Sequence, residues 1–173
     1  VYATRAGLEV LREGGNAVDA AVTAGFTMAV TYPRAGNLGG GGFMLIYLPG
    51  TKEAAAIDYR EKAPGAARSS MYLNDKGESD GEKSLHHIIA AGVPGTVAGL
   101  ALALDKYGTI TLERALRPAI DLAQNGFPAD EELIRSLSKV KGRMEASPGS
   151  MKIFFKDGGE SYAAGEPLIQ KDL

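Results

Sequence analysis

No cysteine occurs in the sequence, so disulfides, thiolate catalysis and cysteine-ligated metal are excluded within it. Histidine is almost as scarce, with only His86 and His87. Read as part of a strand, adjacent side chains point to opposite faces and do not share an ion. No carboxylate cluster is spaced around them, so no metal is expected and no cofactor is implied. An excess of either charge is also missing: the formal net charge is -2, and Lys and Arg are spread along the chain. That leaves no electrostatic claim on nucleic acid or an anionic membrane. No segment reaches the roughly 18 consecutive apolar residues that read as a membrane-spanning helix. A signal peptide is lacking as well. The chain starts at Val1 with a helical pattern already under way, which predicts a trimmed sequence and argues nothing against export.

What is present is a globular composition, 45% apolar and 23% charged over 173 residues, enough for one domain with a core. Residues 3–13 predict a short helix with Leu8 and Leu11 on one face, stopped by Gly14 and Gly15. Asn16 is the expected N-cap of a second helix over 17–30, with Asp19 in its first turn. That helix is Ala-rich and apolar on every side, so it belongs between layers; Pro33 ends it.

Four glycines, Gly39 to Gly42, precede the apolar run Phe43-Met44-Leu45-Ile46-Tyr47-Leu48. Such a run predicts a strand covered on both faces. Pro49-Gly50 predicts a turn, and residues 53–60 the return strand. The polar stretch 74–84 is expected to be a surface loop. Pro94-Gly95-Thr96 opens a helix to about Tyr107, closed by Gly108, and Thr111 caps the next, which Pro118 interrupts or restarts. Asp130 is the cap expected for a helix to about Lys139. Beyond Gly142 the chain is rich in Gly, Ser and Pro around Ile153-Phe154-Phe155, and no closing element is expected. The elements together give an α/β reading with a single partial domain over 1–173.

Few residues carry chemistry. The glycine tetrad has the backbone of an anion nest, yet a phosphate loop follows a strand, opens a helix and ends in Lys and Ser or Thr. Here the glycines follow a helix and open a strand, and Phe43 and Met44 stand where Lys and Ser would be. A side-chain-free entry to a strand is the expectation. Hydroxyl nucleophiles lack an evident base, and no G-x-S-x-G elbow occurs. Val1 cannot serve as an N-terminal nucleophile, which needs Thr, Ser or Cys. Arg60 closes the return strand, and alternation puts it on the face of Asp58, opposite Ile57 and Tyr59. Spacing alone allows two roles. One is an ion pair with Glu61, Asp58 or another chain; the other presents the guanidinium fork to a carboxylate.

Five blocks of residues carry a resemblance. They are Gly14-Gly15-Asn16-Ala17-Val18-Asp19-Ala20-Ala21-Val22; Asn37-Leu38-Gly39-Gly40-Gly41-Gly42-Phe43-Met44-Leu45; Asp58-Tyr59-Arg60-Glu61-Lys62-Ala63-Pro64; Pro94-Gly95-Thr96-Val97-Ala98-Gly99; and Leu104-Asp105-Lys106-Tyr107-Gly108. In this order they resemble the γ-glutamyltranspeptidase (glutathione hydrolase) family, in the N-terminal part of its large subunit. The blocks cover about residues 5–128, and the last forty or so match more loosely.

The resemblance implies the four-layer αββα fold of N-terminal-nucleophile hydrolases, and a precursor that cleaves itself into a large and a small subunit. The new terminal Thr of the small subunit would attack the γ-glutamyl amide of glutathione, with its own α-amine as base. The γ-glutamyl group would then pass to water or to an amino acid or peptide. Carried over residue by residue, the resemblance places one substrate contact here: Arg60, pairing with the glutamyl α-carboxylate. It places no catalytic residue in the sequence, which on its own is expected to be inactive. Its implied partners are the small subunit and γ-glutamyl compounds, and its implied location is periplasmic or secreted. Two other readings stand beside it: an acylase of the same architecture, such as a cephalosporin acylase or capsule depolymerase, and a non-catalytic binding module.

Overall fold

Helices make up most of the ordered elements, with two short antiparallel strand pairs among them. The structure, a computed structural model, describes residues 1–36 and 38–173; Asn37, the first residue of the second motif block, lies outside them. The elements are α1 (Tyr2–Arg12), α2 (Ala17–Thr31), β1 (Phe43–Leu48), β2 (Glu53–Asp58), α3 (Gly81–Leu85), α4 (Thr96–Tyr107), α5 (Leu112–Asn125), β3 (Phe127–Pro128), α6 (Glu131–Met144), α7 (Pro148–Phe154) and β4 (Pro167–Leu168). Two compact units result, Val1–Asn37 with Ala103–Leu173, and Leu38–Leu102, and the boundary falls within α4.

In the first unit α1 lies along α2 through small residues. Its buried positions are Ala6, Gly7 and Val10, and a methyl group on Gly7 would sit 3.0 Å from the Ala20 carbonyl oxygen. Leu8 and Leu11, expected on one face, are 43% and 47% exposed, so the face they share is not the packed one. The approach at Gly7 is too close for leucine, and the helical period turns both leucines outward. Gly14 then takes φ 94° and turns the chain.

A full capping box starts α2. The Asn16 side chain accepts from the Val18 and Asp19 amides, and Asp19 Oδ2 accepts from the Asn16 amide. The same two side chains reach the segment after α4. Asn16 Nδ2 donates to the Tyr107 carbonyl at 2.7 Å. Asp19 accepts the Thr109 amide at 2.7 Å, the Thr109 hydroxyl at 2.6 Å and the Ile110 amide at 3.3 Å. One box therefore begins one helix and binds the exit of another.

Along α5 the buried positions are Ala115, Ala119 and Ala123, a stripe of small residues at helical spacing that packs on α2. Pro118 neither interrupts nor restarts the helix, which is continuous from Leu112 to Asn125. The lost hydrogen bond and ring clash cost about 3 kcal/mol or more, offset here by the packing of the alanine stripe on either side. Asp130 caps α6 by accepting from the Leu133 amide. The helix passes Lys139 and Gly142 to reach Met144; one helical glycine costs only about 1 kcal/mol. The Gly-, Ser- and Pro-rich tail is also more regular than its composition predicts. Ser147 caps α7, and β4 pairs antiparallel with β3, Phe127 opposite Leu168, both buried. Gln170 finishes the closure: its amide donates to the Ala123 carbonyl, and its side chain donates to the Val30 carbonyl at 2.9 Å.

In the second unit β1 and β2 form the predicted hairpin, Phe43 opposite Asp58 through to Leu48 opposite Glu53, but the return strand ends at Asp58, so Arg60 lies just beyond it and not at its end. Ile46 and Ile57 are buried, whereas Phe43, Leu45 and Tyr47 on the opposite face are 64%, 82% and 65% exposed. The apolar run predicts cover on both faces; these residues supply it on one. The polar stretch 74–84 is partly ordered. Asn74 Oδ1 accepts from the Lys76 and Glu78 amides to make a turn, and α3, capped by Asp80, takes up its end. His86 and His87 are not on a strand. His86 ends α3, and His87 opens a short 3₁₀ turn with Nδ1 accepting from the Ile89 amide.

Candidate functional site

Residues 58–62 run between two neighbouring backbone segments of the second unit. On one side the Tyr59 amide donates to the Gly42 carbonyl at 3.0 Å. On the other, the Lys62 amide donates to the Val93 carbonyl at 3.2 Å, and the Val93 amide returns a bond to Lys62 at 2.8 Å. The two flanks are joined directly, because the Gly95 and Thr96 amides both donate to the Gly40 carbonyl, at 2.9 and 3.0 Å. Amides at a helix start lack intrahelical partners, and here a carbonyl from the glycine run supplies one. The glycine run thus offers an acceptor to the start of α4, in place of the amide nest a phosphate would need.

Three motif blocks that are far apart in sequence therefore form one backbone assembly, and glycines let it close. A methyl group on Gly41 would lie 2.5 Å from the Tyr59 carbonyl oxygen and 2.8 Å from Arg60 Cα. One on Gly95 would overlap the Tyr59 carbonyl, and one on Gly99 would overlap the Tyr59 side chain. The first turn of α4 presses on Tyr59 from one side and the glycine run from the other. Arg60 follows directly, its Cα close to Gly41 and its carbonyl oxygen close to Gly95.

Arg60 itself is exposed. Its guanidinium carbon stands 6.0 Å from the centre of the Phe43 ring, at the outer reach of a cation–π contact. Among the described residues its guanidinium forms no ion pair. Asp58, a candidate partner on the same face, is used otherwise: its Oδ1 accepts the Arg60 backbone amide at 3.0 Å. This turn of aspartate onto the amide two residues on is a standard local motif. Asp58-x-Arg60 carried that signal in the sequence; the Phe43 ring beside the arginine carried none. The side chain borders an open groove of about 760 Å³, lined also by Glu61, Lys62, Arg68, Tyr72 and Gly92. An unpaired guanidinium at the rim of a cavity has both free donors and space for a carboxylate.

Comparisons with known proteins identify the family. The profile of the Gamma-glutamyltranspeptidase family matches residues 3–173. A glutathione hydrolase proenzyme of Escherichia coli (strain K12) is 47% identical over 171 residues, 99% of this chain and 29% of that protein. The crystal structure of γ-glutamyltranspeptidase from Helicobacter pylori matches with a TM-score of 0.95 at 45% identity, covering 99% of this chain and 49% of that one. The acylase-type alternatives are more distant. The transpeptidase CapD of Bacillus anthracis reaches 0.78 at 34% identity, over 99% of this chain and 51% of that one. A cephalosporin acylase of Bacillus halodurans reaches 0.80 at 23%, over 98% and 32%, which shows the fold alone. The chain spans about 30% of the length of the curated relatives it matches. Among the described residues no helix is long and apolar enough to cross a membrane. Its architecture is part of the αββα fold of N-terminal-nucleophile hydrolases. Matched over nearly its whole length by the family profile and by relatives well above 40% identity, the chain belongs to the γ-glutamyltranspeptidase family.

Proposed function

We propose that the full-length protein is a γ-glutamyltransferase and glutathione hydrolase, and that this chain holds the substrate's α-carboxylate through Arg60. The observation that carries the reading is the placement of Arg60: exposed, without an ion pair among the described residues, and fixed at a cavity rim by the glycine assembly. In the reaction the γ-glutamyl amide of glutathione is attacked by the terminal Thr hydroxyl of the small subunit, whose α-amine takes the proton. The leaving amine departs, and water or an amino acid or peptide accepts the γ-glutamyl group. Arg60 contributes orientation: it fixes the α-carboxylate so that the γ-amide meets the nucleophile in one pose. The whole of 1–173 is one partial domain of the large subunit in this reading. The small subunit of the same precursor covers the apolar face of Phe43, Leu45 and Tyr47, which this chain leaves open. The E. coli relative's designation as a proenzyme supports a cleaved precursor. A periplasmic or secreted location belongs to the same reading.

Arg60→Lys in the full-length protein tests it. Lysine keeps the charge and loses the planar fork. A charge-assisted hydrogen bond is worth about 1.5–3 kcal/mol, so kcat/KM for a γ-glutamyl anilide is expected to fall about 10- to 100-fold. Cleavage of the precursor, followed by gel electrophoresis, is expected to proceed, since Arg60 is not the nucleophile. An unchanged kcat/KM would remove Arg60 from substrate binding.

A further inference from the structure

The groove beside Arg60 is larger and more cationic than one glutamyl carboxylate requires. Arg60, Lys62 and Arg68 all line it, against the single carboxylate of Glu61. Among the described residues none of these three cations is in an ion pair. The chain folds back to bring Arg68 to the same cavity. The Ala67 amide donates to the Pro64 carbonyl, and the Met71 amide donates to the Arg68 carbonyl. Arg68 thus sits between two turns. The wall behind it is tied down where the Tyr72 hydroxyl donates to the Ile89 carbonyl at 3.3 Å.

We propose that Arg68 is a specificity-determining residue that receives a second carboxylate, the one at the far end of a γ-glutamyl peptide. This rests on the reading of Arg60 as the α-carboxylate anchor. A tripeptide extends to roughly 10 Å at about 3.3–3.6 Å per residue, so a substrate held at one end by Arg60 carries its C-terminal carboxylate well away from that anchor. The groove's 760 Å³ lies within the range of about 300–1,000 Å³ that holds small ligands whole. Of the two remaining cations, Arg68 has the planar fork that matches a carboxylate with two parallel bonds, whereas Lys62 offers a point charge. The substrate class favoured is therefore γ-glutamyl peptides with a free C-terminus, over γ-glutamyl amides without one.

The test compares substrates within one variant of the full-length enzyme. Glutathione carries the second carboxylate; a γ-glutamyl anilide and glutathione amidated at its C-terminus lack it. In Arg68→Gln the ratio of kcat/KM for glutathione to that for the anilide is expected to fall about 3- to 10-fold, a modest factor because the site is open to water. Most of the loss is expected in KM. Amidated glutathione is expected to show no such fall, and Arg68→Lys to recover part of it. An unchanged ratio overturns the proposal, and so does an equal loss on all three substrates, which marks a structural role. Failure of the Arg60 reading shows separately, as an Arg60→Lys enzyme that turns over the anilide normally. No turnover of either substrate by the unaltered enzyme overturns both.

Discussion

In the full-length protein, and on the proposed role of Arg60, replacing Gly95 by alanine is expected to lower γ-glutamyl turnover by up to about 100-fold, the loss that a misplacement of about 1 Å can produce in an aligned site. A methyl group at Gly95 meets the carbonyl carbon and oxygen of Tyr59 and the carbonyl oxygen of Arg60. All three are backbone atoms, so no side-chain rotation relieves the overlap. Either the start of α4 retreats, losing the bonds from the Gly95 and Thr96 amides to Gly40, or Tyr59 and Arg60 move outward. The second course strains the Tyr59–Gly42 and Lys62–Val93 hydrogen bonds on the two flanks. Both distort the backbone that aims the Arg60 guanidinium. Overpacking of this kind costs about 1–3 kcal/mol in stability, occasionally more. A fall in the melting temperature is therefore expected alongside the kinetic loss. Gly65→Ala is the control. It lies in the loop that follows Arg60, and a methyl group there meets nothing within 4 Å. Turnover of a γ-glutamyl anilide by both variants, with their melting curves, decides the matter; normal activity in Gly95→Ala would refute the claim that this close approach positions the site.

That prediction could not have been made from the sequence alone, and the reason is physical. The β1–β2 hairpin was legible because a six-residue apolar run, a Pro-Gly turn and a return strand are local signals. The Asn16 cap was legible for the same reason, since Asn followed by Asp three residues later is a local pattern. The meeting of Gly40, Tyr59 and Gly95 is not local. Each glycine alone predicts a turn or a helix start, and only the folded chain shows that they share one neighbour. Which face of α1 packs inward was not legible, because close helix packing at Gly7 selects small residues over leucine. The tail after Gly142 was misread because its order comes from distant partners: Phe127 opposite Leu168, and Gln170 on the Val30 and Ala123 carbonyls. Of the proposed site, Arg60 is singled out by the resemblance, since spacing alone left two roles open to it. Asp58 was already a candidate neighbour from its spacing, whereas Phe43 and Arg68 emerged only with the register and the fold-back of the loop.

Asp19→Ala carries the largest expected loss of stability. The carboxylate is fully buried and accepts four hydrogen bonds, from the amides of Asn16, Thr109 and Ile110 and from the Thr109 hydroxyl. Alanine leaves all four donors without that acceptor. Each buried donor left unpaired costs about 1–3 kcal/mol, so even with partial relaxation the total is on the order of 4 kcal/mol. Asp19→Asn is expected to lose about half as much, since one oxygen can still accept the Thr109 and Ile110 amides.

The effect has a defined pH dependence. Burial raises the Asp19 pKa, but the bonds from Thr109, Asn16 and Ile110 outweigh it, and the net shift is downward from the ordinary carboxylate value. A carboxylate with a depressed folded pKa contributes stability that is fully present above the unfolded value, about 3.9 for Asp, and that is lost as pH falls through the folded value. The gap in melting temperature between the parent protein and Asp19→Ala is therefore expected to be constant near neutral pH. It narrows only below about pH 4, where the parent begins to lose what the variant never had. A gap that stayed constant down to pH 3, or widened there, would show that the charge of Asp19 contributes nothing beyond its shape.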